Sequence, residues 1–208
     1  MFELFADDTP NARKISIMLE EIQADYKVTL IDIGKGDQFK DDFKKISPFN
    51  KIPVLRNSQT GQSYFESGAI LIYLAEQSDK FYNDQDKTEI NQWLMAQMGY
   101  VGPMLGQHHQ FHHYNPGKSK FGEERYFKIS ERIYQELDER LSKSKFLSGD
   151  NYTIADISTF PWIARHEWHD IGLAKYKSLT RWYNEISKRE AVIKGFAFMD
   201  KNEVIPKP

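Results

Sequence analysis

Two short stretches of this sequence carry residue types suited to binding chemistry. Ile52-Pro53 is followed, after the apolar pair Tyr64-Phe65, by Glu66-Ser67 at the expected start of a helix. A helix start presents N–H groups without intrahelical partners and the positive end of the helix dipole, which suits a carboxylate or a phosphate. Ser67 adds a hydroxyl and Glu66 a carboxylate able to hold an ammonium, so the pair suits the head group of an α-amino acid. A cis bond at Ile52-Pro53 would leave the N–H and C=O of Ile52 facing outward, where they could pair with an extended peptide. The combination favours a small peptide with a free amino-acid end over a nucleotide. For each residue taken alone the alternative is structural, with Ser67 as a helix cap and Pro53 as a strand-edge proline.

Other constellations weigh less. His108, His109, His112 and His113 form two i,i+4 pairs, a spacing that lets two imidazoles share one metal ion on a helix, but no third ligand is evident and no metal site is expected. Asn151-Tyr152-Thr153-Ile154-Ala155-Asp156 has the spacing of a capping box, with Thr153 and Asp156 serving each other's backbone. The chain has no cysteine, which excludes a disulfide scaffold, a thiolate metal site and a protein-borne thiol nucleophile. With 28 Lys+Arg against 30 Asp+Glu, no basic footprint for nucleic acid stands out. Met1 to Phe5 lacks a basic region followed by a long apolar run, and nowhere do eighteen apolar residues run together, so neither signal peptide nor membrane span is expected and a cytoplasmic location is the default.

These residues need elements to position them. Phe2 to Phe5 reads as a strand, Ile15, Met18, Leu19 and Ile22 recur at helical spacing behind Pro10-Asn11, and Tyr26, Val28 and Leu30 alternate as a second strand. A short helix is predicted from Gln38 to Ile46, ended by Ser47-Pro48. A hairpin follows around the turn Asn57 to Gln62, and then a buried helix capped by Ser67. The order is βαβα–ββα, an α/β domain over residues 1–78. Polar residues 79–86 read as a linker, and beyond them strand signals vanish. Helices are predicted over about Thr88 to Gln110, kinked at Gly102-Pro103, then Gly122 to Leu141, Ile154 to Glu167, Tyr176 to Lys188 and Ala191 to Met199, making 87–208 all-helical.

Thr9-Pro10-Asn11, the run Ile46 to Leu55 and the run Phe65 to Leu74 resemble the cytosolic glutathione transferases, and the likeness extends over the whole chain. Gly34 to Phe39, Gly102 to Gln107 and Glu124-Arg125-Tyr126 are similar to the bacterial nu class, relatives of the yeast nitrogen-regulator prion protein. The resemblance implies a thioredoxin-like N-terminal domain that binds glutathione, a helical C-terminal domain on the second-substrate side, and a homodimer. It implies that Glu66 and Ser67 hold the γ-glutamyl head group, that Ile52, beside Pro53, pairs with the cysteinyl part, that Gln38 reaches the glycyl end, and that Thr9 and Asn11 meet the sulfur. Arg125 would reach the site across the dimer, with Arg132 as its substitute. The four histidines would line the entrance to the pocket.

Ala6-Asp7-Asp8-Thr9 holds no Tyr, Ser or Cys at the family's sulfur-activating position, and the two aspartates would oppose a thiolate if they faced it. Nu-class relatives imply reduction of disulfides and peroxides by glutathione, with weak conjugation of electrophiles. In a chain without cysteine such a reductase must use the thiols of glutathione itself, reduced or paired as the disulfide. The alternatives are a glutathione-binding regulator without catalysis, for which the Asn/Gln-rich extension of the yeast relative is missing, and an interaction domain of translation-factor type.

Overall fold

A computed structural model describes all 208 residues. Strand β1 (Phe2–Ala6) pairs in parallel with β2 (Tyr26–Leu30) and antiparallel with β3 (Val54–Asn57), which pairs antiparallel with β4 (Ser63–Phe65), so the sheet order is β2-β1-β3-β4. Because side chains alternate along a strand, register decides what each face buries. Leu4 sits opposite Leu55, and both are fully buried. Phe5 sits opposite Val54 on the other face, where Ile31, Phe43, Ile46 and Ile52 complete a small apolar cluster. Leu30, expected in the alternating core pattern, ends β2 and is exposed.

Helix α1 (Pro10–Glu21) starts as its sequence predicts. Thr9 is extended, its Oγ1 accepts the Ala12 N–H at 3.2 Å, and Pro10 occupies the first turn, where a missing N–H costs nothing. Gln23 closes the helix in the left-handed conformation, with the Ala24 N–H donating to the Leu19 carbonyl. Every residue from Ala12 to Leu19 is buried, Arg13 and Lys14 included. Such all-round burial needs cover beyond the sheet. It comes from α3 (Ser67–Ser78) and from α9 (Glu190–Phe196), both packed on α1.

The segment predicted as one helix from Gln38 to Ile46 is a 3-10 turn, Asp37–Phe39, and a single α-helical turn, α2 (Asp41–Lys44), separated by an extended Lys40. Only Phe43 of α2 is buried, so little holds a longer helix together. Two compact units result: Met1–Lys80 with Arg189–Val204, and Phe81–Lys188 with Ile205–Pro208. Residues 189–204, assigned to the helical domain on their pattern alone, thus pack with the N-terminal unit.

Gly195 shows how closely α9 approaches. A Cβ there would lie 2.5 Å from the Ile17 Cα and 2.6 Å from its N, and Ser16 Oγ donates to the Gly195 carbonyl at 2.6 Å. Backbone cannot yield as a flexible side chain would. Gly195→Ala should therefore cost about 2 kcal/mol by overpacking and lower Tm by roughly 4–8 °C. A thermal scan showing a change below about 1 °C would contradict this packing account.

The second unit is helical throughout. Helix α4 (Lys87–Ala96) continues through a π turn, Gln97–Val101, into α5 (Gly102–His108) and a second π turn, His109–His113. The Gly102-Pro103 step follows the first π turn directly, and the wider loop ahead of Pro103 accommodates its missing donor and its ring. Gly102 and Gly106, one turn apart, leave room for the Trp162 indole, which a Cβ at either position would approach to 3.3 Å.

Helix α6 (Lys120–Lys143) is capped by Ser119, whose Oγ accepts the Gly122 N–H at 3.1 Å, and buries Ser130, Ile133, Tyr134, Leu137 and Leu141 at helical spacing. Helices α7 (Ile154–Ile163) and α8 (Lys177–Ile186) complete the unit. The capping box at Thr153 and Asp156 is present. Asp156 lies fully inside and accepts from Leu147 N at 3.0 Å, Thr153 N at 3.0 Å, Thr153 Oγ1 at 3.3 Å and Trp182 Nε1 at 2.8 Å. No helix is long and apolar enough to cross a membrane.

Candidate functional site

In the N-terminal unit Asn11, Ile52, Pro53, Glu66 and Ser67 line one cavity of about 140 Å³, together with Ser47, Phe49, Lys51 and Phe65. The Ile52-Pro53 peptide is cis. Ile52 precedes β3, so its backbone lies outside the strand ladder. The loop before it is held by Ser47, whose buried hydroxyl donates to the Lys51 carbonyl at 2.7 Å and accepts the Lys51 N–H at 3.0 Å.

Ser67 is not the cap of α3. Glu66 is the capping residue, with φ 68 and no side-chain capping bond, and Ser67 is the first helical residue. A non-glycine residue at positive φ is uncommon, and here it turns the chain sharply so that Glu66 stays exposed while Ser67 is buried. The Ser67 hydroxyl accepts a hydrogen bond from Lys14 Nζ at 3.3 Å. Burial drives the Lys14 amine well below its ordinary range, and the nearby Glu66 carboxylate acts in the opposite direction.

Thr9 lies at the start of α1, two residues before Asn11, and its Oγ1 serves as the cap. The aspartates beside it are turned to other partners. Asp7 accepts the Asp8 N–H at 2.8 Å and the Ile33 N–H at 3.1 Å. Asp8 pairs with Arg13 at 2.6 Å, and Arg13 also pairs with Glu203 while its guanidinium stacks 3.8 Å above the Phe196 ring.

Gln38 and Arg125 do not line this cavity. Gln38 sits in the 3-10 turn, where Nε2 donates to the Ile33 carbonyl at 3.3 Å and Oε1 is buried without a partner. Arg125 and Arg132 are exposed on α6, where with Phe121, Glu124, Lys128 and Ile129 they line a cationic groove in the helical unit.

His108 and His109 are buried. His109 stacks on His169 at 4.7 Å between centroids, His108 on His112 at 4.8 Å, and His113 on Trp168 at 4.0 Å. The rings lie face to face, an arrangement of packing rather than ligation, and no three His, Cys, Asp or Glu side chains are grouped to hold a metal ion. Trp93 donates to Glu89 Oε1 at 3.1 Å and carries the Arg140 guanidinium over its ring, so its place is helix packing.

Lys14, Ser47 and Lys51 escaped sequence reasoning. The one available signal was Lys14, a lysine inside the apolar run of α1.

A thioredoxin-like sheet unit presenting a cis-proline loop beside the head of a helix, followed by an all-helical unit, defines a two-domain transferase fold. Residues 9–77 match the family model for the glutathione S-transferase N-terminal domain and residues 107–190 that for the C-terminal domain. The disulfide-bond oxidoreductase YfcG of Escherichia coli K12 is 41% identical over 198 residues, covering 92% of each chain. A glutathione transferase from Burkholderia graminis, solved with two glutathione molecules bound per subunit, superposes with a TM-score of 0.89 at 34% identity, covering 97% of this chain and 89% of its own. One from Pseudomonas putida, solved with one glutathione disulfide per subunit, superposes at 0.87 with 34% identity, covering 95% and 91%. The chain belongs to the glutathione transferase superfamily, in its nu-like branch.

Proposed function

We propose that this chain is a glutathione-dependent disulfide-bond reductase. The observation that carries the reading is the convergence of Asn11, Ile52, Glu66 and Ser67 on one cavity in a chain without a cysteine. Glutathione fits the residues present. The head of α3 and the Ser67 hydroxyl suit the γ-glutamyl carboxylate, the exposed Glu66 suits its ammonium, and the Ile52 backbone suits the peptide that follows. Gln38 would serve the glycyl end. Asn11, with Thr9 at the α1 start, would face the sulfur, where hydrogen bonds and the helix dipole favour a thiolate. Repulsion from Asp7 and Asp8 is blunted because backbone amides and Arg13 already hold them.

The reaction needs two glutathione thiols. One thiolate attacks a sulfur of the substrate disulfide, forming a mixed disulfide and expelling the other half as a thiolate. A second glutathione thiolate attacks the mixed disulfide, releasing the remaining half and forming glutathione disulfide, while the expelled thiolates take protons from solvent. Small disulfides are the substrates this cavity suits, with peroxides and electrophiles as slower ones. The chain would work in the cytoplasm as a homodimer, with Arg125 or Arg132 reaching the partner's site. In an assay with glutathione, glutathione reductase and a small disulfide such as hydroxyethyl disulfide, the protein should oxidise NADPH well above the blank. Consumption equal to the blank would end this reading.

A further inference from the structure

The face of the sheet that carries Phe5 and Val54 is only partly covered. Because Lys40 is extended, α2 is a single turn, and Phe43 is its one residue in the apolar cluster. Beside it lies a cavity of about 340 Å³ walled by Phe5, Leu30, Ile31, Phe43 and Ile46, which shares no lining residue with the cavity at the head of α3. Its volume falls among those of small-molecule sites, roughly 300–1,000 Å³. Leu30, at the end of edge strand β2, is 53% exposed, apolar surface that a bound ligand would remove from water. The carboxylates at the rim are already engaged. Asp37 pairs with Lys40 at 2.5 Å and accepts the Asp32 N–H at 3.1 Å, and Asp42 pairs with Lys45 at 2.7 Å. Arg56, also at the rim, is held only at its base, where Nε donates to Ser63 Oγ at 3.2 Å. Its guanidinium lies 5.0 Å from the centre of the Phe5 ring, and Nη1 is 3.8 Å from Glu3, too far for a hydrogen bond. Glu3 is itself engaged more closely, by Lys27 at 3.0 Å and by the Thr29 hydroxyl at 2.7 Å. Arg56 thus offers its terminal N–H groups at the wall of an apolar cavity, and that planar fork matches a carboxylate.

We propose that this cavity is a second ligand site, which takes an amphipathic monocarboxylate: the apolar body lies against Phe5, Ile31, Phe43 and Ile46, and the carboxylate accepts from the terminal nitrogens of Arg56. The apolar wall alone would admit any oily molecule of the right size. Arg56 supplies the selection, since a carboxylate gains a charge-assisted pair of hydrogen bonds, an alcohol gains at most one neutral bond, and an ammonium is repelled. A compact anion such as phosphate leaves the apolar wall in water, so it lacks the larger part of the contact. Binding here involves no covalent step and does not depend on glutathione at the head of α3.

The test is titration of the intact protein with decanoate, kept below its micellar range, followed by calorimetry and by amide proton–nitrogen correlation spectra. Decanoate should bind with a Kd below about 100 µM, and the shifted amides should centre on Phe5, Ile31 and Phe43. Decanol and decylammonium should bind at least about tenfold more weakly, and Arg56→Gln should weaken decanoate by a similar factor. Leu30→Glu changes an exposed position, so it keeps the test open should the Arg56 variant fail to fold. Its carboxylate at the cavity wall repels that of the ligand and should also weaken binding about tenfold. Absence of decanoate binding would overturn the proposal, as would shifts confined to Glu66 and Ser67 or to the helical unit. Equal affinity for decanol would remove Arg56 from the site and with it the carboxylate class. Decanoate binding left unchanged by Leu30→Glu, or by a folded Arg56→Gln, would place the ligand elsewhere.

Discussion

Asp156→Ala should lower stability by about 3 kcal/mol or more, with a fall in Tm of roughly 6–12 °C. Four donors converge on this carboxylate: Leu147 N, Thr153 N, Thr153 Oγ1 and Trp182 Nε1. Alanine would leave them in a site water does not reach, and each unsatisfied buried donor costs about 1–3 kcal/mol. The capping box at the start of α7 goes as well, worth about 1 kcal/mol. Against this stands relief of a buried carboxylate, which burial pushes up to about 6 in spite of the hydrogen bonds that pull it down. The folded state therefore holds that proton more tightly than the unfolded chain, and this group's contribution falls as pH rises to about 6 and is constant above. Urea titration above pH 7, read through the fluorescence of Trp182 and its neighbours, avoids that region. A loss below about 1 kcal/mol would show that the network contributes little beyond packing.

The second large effect is acid lability centred on the histidine cluster. Burial, aided by Arg165 and by neighbouring imidazoles, drives His109 down to about 3, and burial drives His169 well below its ordinary value. Burial lowers His108 and His166 too. Geometry agrees with neutral rings. The buried Tyr134 hydroxyl lies 2.7 Å from His169 Nδ1, and His108 Nε2 lies 3.0 Å from the His169 carbonyl. For a base whose folded pKa is depressed, the unfolded chain binds more protons. Stability is then present above the unfolded value of about 6.5 and lost as pH falls below it. His109 alone accounts for a loss of about 1.5 kcal/mol between pH 6.5 and 5, and the other lowered imidazoles add to it in the same direction. Asp156 works in the opposite direction, one carboxyl against several imidazoles. Urea midpoints measured across this range should fall steadily, and a constant midpoint would show that the cluster is not held neutral.

Much of the fold was legible because local rules and tertiary packing agree. The Pro10 start of α1 and the Thr153–Asp156 box follow from groups a few residues apart. Of the candidate site, Ile52-Pro53 and Glu66-Ser67 each stood out by residue type, and the fold brings them to one cavity. What escaped depends on distant segments. Nothing near Ser67 shows that its hydroxyl meets Lys14, fifty-three residues earlier, in place of capping its own helix. The short α9 reads as one more amphipathic helix of the second domain until Gly195 is seen against Ile17. The π turn ahead of Pro103 escaped because a proline in a helix can be accommodated in more than one way, and residue types alone do not choose between them.

The cover that α9 places on α1 has a consequence for biosynthesis. Strands and helices of the first eighty residues leave the ribosome early, but the strip of α1 around Ser16 and Ile17 meets its partner only when Gly195 has been translated. At common elongation rates that interval is on the order of ten seconds. Throughout it the N-terminal unit carries an uncovered seam on α1, and its packing is complete only once α9 has been made.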